Sequence, residues 1–335
     1  MCITRTGSTK SLTWDILNRM TGYASGSMAT SYAYRADGIR ASKSSSSVVD
    51  DWFYDGQMQM EETEVASSAT TIGAAARTYD ILGNTLTIGA SKTFGWDAIN
   101  RLTSYTSGSS VTTYQYRADG MRVQKTRASD DYTAYSYDGQ MPVEEFNYRA
   151  SYNQRNLIKV IRYGLGARGI DRIERERPNG ELLTGYPLYD SHGNNVATLV
   201  KGTNDTYTLG DQRSYDAWGR IRTGSQTGEP NARYVANLGH LSDDESGLVY
   251  MRARYYEPET GRFVSQDPAC EGSNWFIYCG NDPVNRADQT GKFAVNLAIA
   301  LAGFIIGFLT GGITALLGGQ SGREALLAAL AGGAG

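Results

Sequence analysis

The sequence has few residues from which a metal site or a disulfide framework could be built. Its 335 residues include two histidines and three cysteines. The cysteines are too few and too scattered for a disulfide framework or a four-ligand zinc site. His192 and His240 cannot supply a histidine-rich metal site, and each is expected to be a loop or packing residue. We therefore expect no metal and no other cofactor.

The chain also lacks a strong charge bias and a visible export signal. Its 32 basic and 35 acidic side chains give a formal net charge of −3, so nucleic acid is not an expected partner. Residues 1–5 lack the charged region and apolar stretch of a signal peptide. The first repeat element begins at Thr13, so we expect the natural start of the protein to lie upstream.

Tyrosine and glycine are abundant. The sequence has 23 tyrosines against 8 phenylalanines, and 39 glycines against 7 prolines. Tyrosine suits a surface where the ring packs against apolar neighbours while the hydroxyl reaches water. Together with the glycines, it indicates many strands and tight turns rather than helices.

A long internal match reveals a repeat, which has to be recognised before any site is sought. The two copies share the pattern Trp-Asp-x-x-Asn-Arg and are offset by 82 residues. The matching pairs are 13–23 with 95–105, 32–40 with 114–122 and, after one added residue, 54–58 with 137–141.

A shorter unit recurs within the repeat: an aromatic residue, Asp, two further residues, then Gly followed by Asn or Arg. It begins at Tyr79, Tyr189 and Tyr215. Asp at the first turn position accepts hydrogen bonds from backbone N–H groups, and Gly or Asn supplies a positive φ. The unit therefore predicts a strand, a turn and a returning strand, and we assign its aspartates to turn geometry rather than to catalysis or calcium.

These units resemble the YD repeats of bacterial Rhs and insecticidal-toxin shell proteins and of the animal teneurins, over roughly residues 13–292. The resemblance implies an all-β fold in which antiparallel hairpins wind into one spiral sheet that closes as a hollow shell around a cargo. We expect residues 1–222 to be a segment of this shell. A complete shell takes more repeats than this chain holds, so a partial wall with exposed sheet edges is expected.

From Leu238 to Pro268 the sequence is similar, almost residue for residue, to the Rhs repeat-associated core, and the likeness continues over 274–285 and 288–292. We expect this core to span residues 223–292. Without the resemblance, the arginines and carboxylates of this stretch predict an ion-pair and turn network that locks the end of the sheet.

The resemblance also implies an aspartyl-type self-cleavage, which would be the only enzymatic activity. The matching positions are Asp267 and Asp288 as the two carboxylates and Arg254 as the cation, with the cut between Lys292 and Phe293. Gln289 stands where the family has Pro, and Lys292 where it has Leu. Loss of Pro loosens the turn, and a charged Lys fits a Leu pocket poorly. A working protease and a purely structural plug both remain open.

Residues 293–335 form a glycine-rich tail. Its first part, 293–321, has no charged residue and is long enough to cross a bilayer as a helix. Gly303, Gly307 and Gly311 fall four apart, the pattern of a glycine zipper. We predict a helix over 293–317, or a pair split near Gly311, and membrane contact through 293–319. The alternatives are a hairpin buried inside the shell and a tail that self-associates in water.

The leading functional hypothesis is a secreted or cell-surface shell segment of a polymorphic toxin, which encloses and releases its own C-terminal segment. The alternative is a cell-surface adhesion or carbohydrate-binding repeat protein anchored by the tail, with a surface carbohydrate or protein as its partner. A third is a small pore-former made by the tail alone.

Overall fold

In the computed structural model the chain is built almost entirely from antiparallel β-strands. The structure describes residues 2–5, 8–36, 38–45, 48–55, 58–66, 72–74, 76–151, 154–269, 274–292 and 294–296. Helical structure within these residues is limited to three 3₁₀ turns, at Thr203–Asp205, Ala236–Leu238 and Cys279–Asn281. The predicted all-β, antiparallel fold is confirmed.

The first sheet has eight strands that pair in chain order. They are β1 Cys2–Arg5, β2 Ser8–Trp14, β3 Met20–Ser25, β4 Met28–Tyr34, β5 Arg40–Ser45, β6 Val48–Asp55, β7 Met58–Ala66 and β8 Ile72–Ala74.

The second sheet has thirteen strands, again in chain order. They are β9 Arg77–Tyr79, β10 Thr85–Ile88, β11 Lys92–Trp96, β12 Leu102–Ser107, β13 Ser110–Tyr116, β14 Arg122–Thr126, β15 Tyr132–Asp138, β16 Met141–Ser151, β17 Gln154–Gly166, β18 Gly169–Glu176, β19 Leu182–Tyr189, β20 Asn195–Lys201 and β21 Tyr207–Gly210. We call these two sheets the wall.

Three small sheets follow the wall in the chain. They contain β22 Ser214–Tyr215 with β23 Ile221–Thr223, then β24 Leu241–Ser242, β25 Val249–Met251, β26 Arg254–Glu257 and β27 Arg262–Phe263, and finally β28 Arg286–Asp288 with β29 Ala294–Asn296. We call the part from β24 to β28 the core segment.

The repeated Asp-x-x-Asn turns form as the sequence predicts. In the turn between β2 and β3, Asp15 Oδ1 accepts the N–H groups of Leu17 at 3.0 Å and Arg19 at 2.9 Å. Asn18 adopts the positive φ of 59° that closes the turn. Asp97 makes the same bonds between β11 and β12, where Asn100 has a φ of 62°. The aspartates of these turns therefore serve geometry.

The same repeat explains the use of tyrosine. Tyr34 donates its hydroxyl to the Met20 carbonyl at 2.8 Å, and Tyr116, 82 residues later, donates to the Leu102 carbonyl at 2.7 Å. Each ring packs beside an apolar cluster while its hydroxyl satisfies a backbone acceptor on a neighbouring strand. Phenylalanine would leave that acceptor without this bond.

The core segment packs on the wall through three apolar clusters. One joins Leu12 and Met20 of the first sheet to Val249 and Tyr256. The other two join strands of the second sheet to the core segment, as Leu102 does beside Tyr255. Because each cluster draws on both parts, burial of apolar surface holds the core segment against the wall.

The predicted helix over 293–317 lies almost wholly outside the described residues. The three residues of it that the structure describes, Ala294–Asn296, form β29 instead of helix. They pair with Arg286–Asp288 across a short loop, and this pairing satisfies their backbone groups as a strand. In the portion of the chain that the structure describes, no helix has the length and apolar character needed to cross a bilayer.

Candidate functional site

The candidate site is built around the hairpin of β25 and β26. Met251 pairs with Arg254, which leaves Arg252 and Ala253 as a two-residue turn. Arg252 has a φ of 60°, in the left-handed region that favours glycine in such turns. A non-glycine residue held there costs about 1–3 kcal/mol, so an arginine at this position points to a functional constraint.

Arg254 brings the three predicted site residues together. Its Nη2 lies 3.7 Å from Asp267 Oδ2 and 3.6 Å from Asp288 Oδ2. Its guanidinium carbon lies 3.6 Å from the centroid of the Phe263 ring, and its Nη1 donates to the Trp275 carbonyl at 3.0 Å. One buried guanidinium therefore contacts both carboxylates.

Local hydrogen bonds orient the two aspartates. Asp267 follows β27, and its Oδ1 accepts the N–H of Ala269 at 2.9 Å. Asp288 ends β28, and its Oδ1 accepts the N–H groups of Thr290 at 3.0 Å, Gly291 at 2.7 Å and Lys292 at 3.2 Å. These bonds leave the Oδ2 atom of each carboxylate turned toward Arg254.

Burial weakens the charged forms at this site. It raises the pKa of Asp288, although Arg254 and the three backbone N–H groups act in the opposite direction. It also lowers the pKa of Arg254 to about 10, while the two aspartates favour the charged guanidinium. A buried carboxyl with a raised pKa beside a second carboxyl is the arrangement that lets one hold a proton and the other act as a base.

The loop between β28 and β29 contains the bond between Lys292 and Phe293 for which cleavage is predicted. We call residues 289–292 the cleavage loop. Its first three carbonyls are all bound by donors of the core segment or, for His240, by the residue just before it. The Gln289 carbonyl accepts from Arg252 Nη1 and from His240 Nε2, the latter at 3.2 Å. The Thr290 carbonyl accepts from the Ala253 N–H at 3.1 Å, and the Gly291 carbonyl accepts from Arg254 Nε.

Gly291 is required in this loop. It has a φ of 74°, and a Cβ built on it would lie 2.1 Å from the Met251 carbonyl oxygen. The Lys292 side chain, which departs from the family pattern, is exposed, so its charge stays in water. Gln289 is also exposed. Neither departure places an unpaired charge in the buried part of the site.

The sequence did not predict the role of His240 and Arg252 at the loop. His240 is completely buried, as expected of a packing residue, and burial together with the charge of Arg252 lowers its pKa to about 3. It is therefore neutral, and since a carbonyl only accepts, its Nε2 carries the hydrogen. Among the described residues, no group of three or more His, Cys, Asp or Glu is placed to hold a metal ion.

A second charged network joins the wall to the core segment. Arg122 of β14 donates to Asp243 at 2.6 Å, and Lys125 lies 3.1 Å from Asp243 and 2.9 Å from Glu245. The guanidinium of Arg122 is also surrounded by four tyrosine rings, the nearest being Tyr250 at 4.5 Å. These ion pairs fix the core segment on the wall beside the candidate site.

Comparisons with known proteins agree with this architecture, although no family model matches the chain. It is 29% identical to the tRNA nuclease WapA of Bacillus subtilis over 238 residues, which are 68% of the chain and 10% of that relative. It is 29% identical to the probable deoxyribonuclease RhsB of Dickeya dadantii over 203 residues, or 59% of the chain and 13% of that relative. The chain thus spans about a tenth of the length of each of these two relatives.

Solved structures show the same fold. The complex TcdB2-TccC3 superimposes with a TM-score of 0.60 at 15% identity, over 85% of the chain and 17% of that structure's chain. At this identity the likeness concerns the fold alone.

Proposed function

The chain belongs to the Rhs repeat family, and from that premise we propose that it is a section of a toxin-enclosing β-shell together with the core that closes it. Residues 1–222 form the wall section, residues 223–292 the core, and residues 293–335 the glycine-rich tail that belongs to the enclosed toxin or effector segment. The same kinship supports export of the protein from the cell or a place on the cell surface.

The packing of the core segment supports this proposal. Its apolar clusters and the Arg122–Asp243 pair attach it to the broad wall sheets. The chain leaves the core segment through β28, the cleavage loop and β29. The chain after β29 therefore begins next to the core segment, which is the part that would close the shell.

We further propose that the core segment cuts its own chain between Lys292 and Phe293. The observation that carries this proposal is the placement of Asp267 and Asp288 on the single buried guanidinium of Arg254, next to a loop whose carbonyls are already bound. An unpaired buried carboxylate would be costly, but here the guanidinium limits repulsion between the two.

The reaction consumes one water molecule. We assign Asp267 as the base that takes a proton from water while the water oxygen attacks the Lys292 carbonyl carbon. Asp288, whose pKa is raised by burial, is the acid that donates its proton to the departing nitrogen of Phe293. The C–N bond then breaks, leaving a carboxyl group on Lys292 and an amine on Phe293.

Mass spectrometry of the full chain tests this proposal. The expected products are one fragment that ends at Lys292 and one that begins at Phe293. Asp267→Asn and Asp288→Asn should each abolish both fragments, because Asn neither takes nor gives the proton.

Asp282→Asn is the matched control. Asp282 is a buried aspartate of the same segment with a pKa raised by burial, and it contacts Asn285 rather than Arg254. Cleavage should persist in this variant. A wild-type chain that stays intact would contradict self-cleavage and leave the core as a structural plug.

A further inference from the structure

The turn of the β25–β26 hairpin meets the cleavage loop residue by residue. Three consecutive residues of the hairpin, Arg252, Ala253 and Arg254, bind the carbonyls of Gln289, Thr290 and Gly291 in the same order. Such consecutive contacts set the position of the loop along the hairpin. A shift by one residue would break all three bonds together.

Arg252 is held in a setting that packing alone does not explain. It is buried, its backbone is left-handed, and burial lowers its pKa. Its described acceptors include no carboxylate. They are the carbonyls of Gln140 at 2.9 Å, Leu238 at 2.5 Å and Gln289, with the Met141 sulfur at 3.5 Å.

These acceptors come from three different parts of the fold. Gln140 lies in the wall, in the turn between β15 and β16, Leu238 precedes the core segment, and Gln289 begins the cleavage loop. The planar guanidinium has donors in fixed directions and so ties the loop to both other parts at once. A lysine keeps the charge but lacks the several N–H donors that the guanidinium holds in fixed directions.

We propose that Arg252 is a positioning residue for self-cleavage: with neutral His240 it fixes the Gln289 carbonyl and thereby selects which peptide bond faces the two aspartates. This inference rests on the self-cleavage proposed above. Arg254 contacts the carboxylates, whereas Arg252 acts through the loop. Without the guanidinium donors of Arg252 the loop can shift along the hairpin. The reaction is then slower, and cleavage also occurs at neighbouring peptide bonds.

Arg252→Lys tests the inference, with Arg213→Lys as its matched control. Arg213 is also a buried arginine that bonds backbone carbonyls, those of Ser225, Asp211 and Glu229, and it lies in no contact with the loop. A misplacement of about 1 Å costs about 100-fold in rate, so we expect a loss of that order in Arg252→Lys. Intact-mass time courses should also show fragments ending beside Lys292, whereas Arg213→Lys should cut at wild-type rate and position.

Hydrogen exchange provides a readout that does not depend on cleavage. In an Asp267→Asn background the chain stays whole, and the amides of Thr290, Gly291 and Lys292 report on the loop through their bonds to Asp288. Arg252→Lys should speed their exchange about tenfold or more, since it removes charge-assisted hydrogen bonds. Arg213→Lys should leave it unchanged.

His240 offers a second pair of variants if Arg252→Lys fails to fold. His240→Gln retains an N–H donor for the Gln289 carbonyl and should preserve slow exchange, whereas His240→Leu should lose it. If the wild-type chain stayed intact while exchange in Arg252→Lys was faster, self-cleavage would be rejected. The contact by which Arg252 positions the loop would still be supported. Equal exchange in the Arg252 and Arg213 variants, with an unchanged cut site, would overturn the inference.

Discussion

At the scale of single residues, the deepest charges attach the core segment to the wall. Arg122 is completely buried and Lys125 nearly so, and both depend on Asp243. Asp243→Ala leaves two buried cations short of a partner, so we predict a loss of about 3–5 kcal/mol in the free energy of unfolding. Urea-induced unfolding measures it.

The control for this prediction is Asp205→Asn, which breaks the exposed pair of Asp205 with Lys201. Its urea midpoint should equal that of the wild type, because exposed pairs contribute little. If Asp243→Ala were no more destabilised than Asp205→Asn, the network would have no role in holding the core segment.

The same carboxylate predicts how stability depends on pH. Burial raises the pKa of Asp243, but the charges of Arg122 and Lys125 outweigh burial and lower it below its usual range. The unfolded carboxyl titrates at about 3.9. The stabilisation is therefore complete above about pH 5 and is lost as the pH falls through the folded pKa. Asp243→Asn should flatten the acid side of the urea midpoint plotted against pH, and an unchanged acid side would refute this.

At the scale of elements, the hairpins with an Asp-x-x-Asn turn depend on the turn aspartate. Asp97 accepts the N–H groups of Ile99 and Arg101 and also binds the Arg101 side chain. We predict that Asp97→Ala lowers the free energy of unfolding by about 1–2 kcal/mol. Asp97→Asn keeps an oxygen acceptor and should lose less. Equal losses in the two variants, by urea unfolding, would show that the ion pair rather than the turn is what matters.

The hairpins were predictable from sequence because their causes are local. Asp15 and Asn18 are three residues apart and form their turn without help from the rest of the fold. Asp267, Asp288 and Arg254 were found only through the family resemblance, since nothing in their spacing shows that one guanidinium meets both carboxylates. The positioning role of Arg252 and the Arg122–Asp243 pair escaped prediction because they join residues 37 and 121 positions apart in the chain.

At the scale of the whole molecule, the wall is open. Within the described residues, β1 and β8 of the first sheet and β9 and β21 of the second pair on one side only. Unpaired edges are sites for further strands or for aggregation. We expect a wall with four such edges to be a section of a larger shell.

The last prediction concerns membrane contact through residues 293–319. The run has no charged residue and carries a glycine at every fourth position over 303–311, so its part beyond β29 should enter lipid as closely packed helices. In the Asp267→Asn background, which should stay whole, the full chain should float with liposomes of neutral phospholipid, whereas the same variant ending at Asn296, which keeps β29, should stay in the aqueous fraction. A full chain that is folded, monomeric and free of detergent or lipid would show that the apolar run is instead covered by protein.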